Sequence, residues 1–167
     1  MKALYYVVFV LVIGVALILE ATFFPGLRLV SAMPDLVLTI VISMTFFLPH
    51  KTALITAAVA GLLEDIYTGT MFGSSILALT IIVYLLATFS GLFIRENVIT
   101  PLVVIFLGSV GYHLVMAAML ILMGQGYELG LHYMGIIVFG SVYNLLLGIV
   151  VYPMTYLAFH LTGGETR

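Results

Sequence analysis

Two adjacent carboxylates, Glu64 and Asp65, close an apolar run, and Ile66-Tyr67-Thr68-Gly69-Thr70-Met71-Phe72-Gly73 separates them from the next one. Ionised acids are costly inside a bilayer and are placed there with a partner or a function. Neighbouring side chains on a helix point about 100° apart, so the two acids cannot both face one partner. A paired acid–base catalyst needs a reacting group held between two carboxylates, and nothing in this stretch supplies one. Three readings stand. One acid orders the Thr68–Gly73 turn while the other faces water, or the pair forms a proton or cation site, or the pair marks a docking point for an outside partner. The residue types favour Asp65 as a structural carboxylate that shapes a partner-binding surface. Gly69 and Gly73 let the backbone turn sharply, and Thr68, Thr70 and Ser74 offer it local hydrogen bonds.

Other groups with chemical potential are scattered. Ser109 and His113 share a helical face, which suggests a hydroxyl activated by imidazole. Such a base must itself be oriented by a third group, and no nucleophile-elbow motif surrounds Ser109. His113, beside Tyr112, therefore reads as a hydrogen-bonded packing histidine. His50, His132 and His160 fall near the ends of apolar runs on different membrane faces and do not assemble a metal site. Without cysteine there is no thiolate nucleophile, disulfide framework or cysteine metal site. No cofactor is expected. Glu20 lies about one turn from the end of its helix, where it either snorkels to the interface or pairs with Arg28 or a nearby hydroxyl.

These residues sit in a frame of hydrocarbon. Of 167 residues, 64% are hydrophobic and 7% charged, with mean hydropathy +1.33, whereas soluble domains carry about 25% charged residues. The chain is an integral membrane protein. Its apolar runs are continuous over roughly 15–25 residues, which indicates helices rather than barrel strands of about 10. Net charge −2 and five basic residues leave no nucleic-acid patch.

A single all-α transmembrane domain, 1–167, is expected, with six spans near 3–24, 35–48, 52–67, 74–94, 101–123 and 132–161. The first run is too long for a signal-peptide core and no A-x-A-like site follows it. Pro34 opens the second span at its first helical turn, and Pro153 is expected to bend the sixth. With the amino terminus inside, Lys2, Lys51, Arg95 and Arg167 are cytoplasmic and Arg28 alone is outside. That bias puts both termini in the cytoplasm. Asp35, Glu64, Asp65 and Glu128 then gather at the outer face, with Glu20 just beneath.

Small residues mark close helix contacts. Ala53, Ala57 and Gly61 recur at steps of four in the third span, so another helix can approach closely. Packing within the chain is the favoured reading, and docking onto a separate protein the sharper one. Gly140, Asn144 and Gly148 repeat the pattern in the sixth span, where the Asn144 amide needs a partner.

Pro34-Asp35-Leu36-Val37-Leu38, then Gly61-Leu62-Leu63-Glu64-Asp65 through Gly69 to Gly73, resembles the rod shape-determining MreD family. Pro34, Asp35, Gly61, Asp65, Gly69 and Gly73 match its pattern; the fifth and sixth spans match only in hydropathy. The resemblance implies a multi-pass, non-enzymatic subunit of the cell-elongation machinery in the bacterial cytoplasmic (inner) membrane. It implies MreC as direct partner, with MreB, RodA and the elongation transpeptidase in a wider complex that organises peptidoglycan synthesis. The implied fold is similar to the substrate-binding S component of energy-coupling-factor transporters, which supplies the alternative function: a vitamin-type S component. Such a component would dock through Ala53, Ala57 and Gly61 and bind a ligand near its outer face. Lack of Trp argues against an aromatic cage there, though Tyr127 and Tyr133 remain available. An intramembrane hydrolase or acyltransferase would lack an assembled nucleophile and base.

Overall fold

The computed structural model describes residues 2–27, 32–69, 71–89, 99–126 and 129–161, with the backbone alone described for 2–7, 25 and 27. Six α-helices run through the described residues: α1 Lys2–Thr22, α2 Leu36–Thr45, α3 His50–Thr68, α4 Ser74–Thr88, α5 Ile99–Leu122 and α6 Leu131–Leu161. A 3₁₀ turn, Phe24–Leu27, follows α1, and no strand occurs among the described residues.

The shortest of these helices is the hub. In α2, residues Val37 to Ser43 and Thr45 are all buried, because it packs against α1, α3, α4, α5 and α6. At about 1.5 Å per residue its 10 residues reach roughly 15 Å, half the hydrocarbon thickness of about 30 Å. A helix surrounded on all sides must carry no loose polar group. Its hydroxyls comply by bonding back one turn: Thr39 donates to the Asp35 carbonyl, Ser43 to that of Thr39, and Thr45 to that of Val41.

Around it, α3 lies against α4 and α5 against α6, with α1 against α2 and α3. Apolar side chains point outward in quantity, among them Leu122 at 85% and Leu131 at 93% exposed. Water would not tolerate so large an apolar surface, whereas lipid is its natural solvent. α5 and α6 are each long and apolar enough to cross a membrane. The chain is a membrane protein. α6 runs without interruption through Pro153.

Several sequence-based boundaries shift for local reasons. The second helix, expected over 35–48, ends at Thr45, where the Phe46 and Phe47 amides tighten onto the carbonyls of Ser43 and Met44. Pro34 is not in its first turn. Asp35 has extended φ −115° and ψ 99° and is the N-cap, so Pro34 precedes the cap and is buried there. The third helix begins two residues early at His50, because Pro49 accepts the Ala53 amide at 2.9 Å. The fourth, expected to reach 94, is helical to Thr88; residues 90–98, with Arg95, lie outside the described residues, as do Arg28, Glu128 and Arg167.

Gly61 is where α3 and α4 touch. A Cβ built on it falls 2.6 Å from both Cα and N of Ile76, closer than real atoms pack. Gly14, by contrast, has open space around the same position. Gly61→Ala is therefore expected to lower the thermal unfolding midpoint of the purified protein, at an overpacking cost of about 1–3 kcal/mol. Gly14→Ala should leave the midpoint level or raise it, since alanine is the better helix former by about 1 kcal/mol.

Candidate functional site

Asp65 lies one helical turn beyond Gly61 on the same face of α3, and the close approach at Gly61 brings the start of α4 within its reach. The Asp65 Oδ2 atom accepts the amides of Gly73 at 2.8 Å and Ile76 at 3.3 Å, and Oδ1 accepts that of Ser75 at 2.9 Å. The Ser74 hydroxyl donates to the Met71 carbonyl at 2.7 Å and lies 3.4 Å from Oδ1. These amides open a helix and have no partner within it, and they form its positive end. Asp65, buried at the last turn of α3, thus caps α4 from outside. Gly69 at φ +64° ends α3 by returning its amide to the Asp65 carbonyl at 3.0 Å, and Gly73 at φ +98° leads into α4. Both sit in the left-handed region that glycine enters at no steric cost.

The start of α2 is built on the same plan. The Asp35 side chain caps its own helix by accepting the Leu38 amide at 2.7 Å. Glu20, from α1, accepts the amides of Leu36 and, at 3.1 Å, Val37 on a single oxygen, Oε1. The Asp35 amide donates to Asn144 Oδ1 of α6 at 2.7 Å, and Asn144 Nδ2 donates to Ser109 Oγ of α5 at 3.1 Å. Four elements thus meet at one helix end. Glu20 neither snorkels nor pairs with a hydroxyl, because backbone amides take it; Arg28 lies outside the described residues.

Glu64 does not face water. It is 9% exposed, and Tyr112 of α5 donates its hydroxyl to Oε1 at 3.0 Å. Its second oxygen, Oε2, is buried with no hydrogen-bond partner. The two adjacent acids therefore diverge as helical geometry requires, Asp65 to α4 and Glu64 to α5. Sequence reasoning missed Tyr112 as the partner; its one signal is the three-residue step from Ser109, which places both on one face of α5.

The Ser109–His113 arrangement carries no nucleophile. The His113 Nδ1 donates to the Ser109 carbonyl at 2.7 Å, while the Ser109 hydroxyl accepts from Asn144. Tyr133 donates its hydroxyl to the His113 carbonyl at 3.2 Å, so it ties α6 to α5. Of the small residues, Ala53, Ala57 and Gly61 are buried, and Gly61 meets α4 of the same chain. Gly140 lies against His113, and Gly148 against Ile105 and Leu102 of α5. Tyr127, Glu128 and Thr70 lie outside the described residues. No group of three or more His, Cys, Asp or Glu among the described residues is arranged to hold a metal ion.

The Asp35 cap at a short buried helix, and the Gly61, Asp65, Gly69 and Gly73 reversal, are the positions on which the sequence resemblance rests. The family model described as rod shape-determining protein MreD matches residues 1–161. The chain belongs to the MreD family. Comparison with curated proteins and with solved structures returns no match. MreD proteins are a shape-determining family, and this member has a role in rod shape.

The two foreign carboxylates of this MreD-family chain differ in a testable way. Glu20 uses one oxygen for both its amides, so Glu20→Gln keeps that acceptor, loses only its charge, and is expected to cost less than Asp65→Asn. Asp65 uses both oxygens, so Asp65→Asn must turn an amide donor against an N–H. At about 1.5–3 kcal/mol for a bond to a charged group, Asp65→Asn should lower stability by about 2 kcal/mol, and Asp65→Ala by about 3 kcal/mol or more. Unfolding midpoints in detergent check the order; equal tolerance of both amide variants would contradict the capping geometry.

Proposed function

We propose that this MreD-family chain is a non-enzymatic, multi-pass scaffold in the bacterial cytoplasmic membrane. On this reading it binds MreC directly and helps to organise peptidoglycan synthesis with MreB, RodA and the elongation transpeptidase. The observation that carries the proposal is the family match across residues 1–161. The use of the polar side chains supports it. Asp35, Asp65 and Glu20 are engaged by helix-opening amides, and Ser109 and His113 by Asn144 and backbone, so their chemistry goes into holding helices together.

We read the bundle as S-component-like, with both termini cytoplasmic and the α3–α4 reversal outside. Asp65 sets the conformation of that reversal and so fixes the direction in which its apolar tip projects. Phe72 there is 73% exposed, and Tyr67 and Ile66 at the end of α3 are exposed as well. An exposed aromatic of this kind is a suitable anchor for a partner.

Two measurements test this. Phe72→Ser should leave the unfolding midpoint of the isolated protein unchanged while recovery of co-purified MreC falls at least about tenfold, the loss of about 1.4 kcal/mol. Cells relying on that variant should round up; full MreC recovery would remove Phe72 from the interface. A reporter active only in the cytoplasm should be active when fused after Arg167 and silent when inserted at Gln125. The reverse result would invert the topology.

A further inference from the structure

The carboxylates in the interior are not equivalent. Asp65 receives three amides, Asp35 one from its own helix, and Glu20 two from the same helix end. Glu64 receives one phenolic hydroxyl on Oε1, while its Oε2 is buried without a partner. A buried carboxylate oxygen left bare is expensive because its charge lacks a counter-charge, and a bound cation, a proton included, exchanges that cost for a smaller one.

Its surroundings add negative charge. Glu20 from α1, Asp35 at the head of α2 and Asp65 beside it on α3 all lie within electrostatic reach of Glu64. From α5, Tyr112 bonds it directly, and His113 lies within reach of Asp35. Ser75, at the start of α4, lies beside the Tyr112 hydroxyl. The one lysine or arginine with a described side chain, Lys51, is exposed at the opposite end of α3, about 20 Å away along the helix. In a low dielectric like charges repel strongly, and a positive charge at Glu64 offsets that repulsion. No three acidic or imidazole groups converge as ligands, so the chemistry called for is one unit of positive charge rather than a multivalent metal centre.

We propose that Glu64 is a buried cation-binding carboxyl, beside Tyr112 and the head of α2, that takes one singly charged cation, as a proton or as a small monovalent metal ion. This site lies inside the bundle and is separate from the MreC-binding role proposed above. Occupancy would join α3 to α5 and screen Glu64 from Asp35 and Glu20, so the cation strengthens packing at the point where the short helix begins.

The full-length protein in lipid nanodiscs supplies the test. Its unfolding midpoint is followed in NaCl or KCl against choline chloride at equal ionic strength, and in choline chloride as pH is lowered. Metal-ion binding raises the midpoint in the first series by about 2–4 °C once the ion exceeds its Kd about fivefold. Proton binding gives no such salt effect but raises the midpoint with acid, with a carbonyl-stretch band of a buried carboxylic acid appearing in infrared difference spectra. Glu64→Gln, neutral and of the same shape, should lose the response and the band. Should that variant fail to fold, carbodiimide labelling of the natural chain, mapped by peptide mass spectrometry, reads the same site. Glu64 should be labelled faster as pH falls and, for a metal ion, protected by NaCl or KCl but not by choline chloride. Equal responses in the natural chain and Glu64→Gln, or an unresponsive chain with Glu64 unlabelled throughout, would overturn the proposal.

Discussion

A helix that begins inside an apolar bundle exposes amides with no partner of their own, and hydrocarbon offers none. Among the described residues, α2 and α4 begin in that position, and each is capped by an acid from another helix. Asp65 of α3 receives the amides at the head of α4. Glu20 of α1 and Asn144 of α6 join Asp35 at the head of α2. The positive end of each helix is a favourable place for a carboxylate, so acids that would be costly in isolation become the means of assembly.

Capping of this kind also couples elements that are far apart in the chain. Glu20 and Leu36 belong to different helices, and Asp35 and Asn144 are separated by 109 positions. The head of α2 thereby fastens α1, α5 and α6 to one point. Close backbone contact makes such reach possible: only the absence of a side chain at Gly61 lets Ile76 approach near enough for Asp65 to accept its amide. The small residues and the acid one turn later are parts of one device.

For an MreD-family protein this arrangement has a functional consequence. Among the described residues, the acids, Ser109 and His113 are held by backbone and by one another, and much of the surface left over is apolar. Those properties agree with the scaffold role proposed above. Glu64 departs from the pattern, since one of its oxygens has no role in joining helices.

Composition determined the membrane class, because a chain with 64% hydrophobic residues and 7% charged ones has no soluble solution, and the length of the apolar runs determined the helical architecture. The turn at Gly69 and Gly73 was also legible, since positive φ selects glycine locally, and so was the structural use of Asp65. The partners were not. Whether Glu20 meets a hydroxyl, the interface or a helix end depends on where α2 starts in space, and the exposed amides of α2 leave no mark in residue identity. Backbone groups are the same in every residue, so the acceptor they need can be read only after the chain has folded. The divergence of Glu64 and Asp65 follows from helical periodicity, but Tyr112 as the partner of Glu64 required α5 to be placed beside α3. Long-range pairing of polar groups is set by the packing of small and apolar faces, and that packing is a property of the whole bundle.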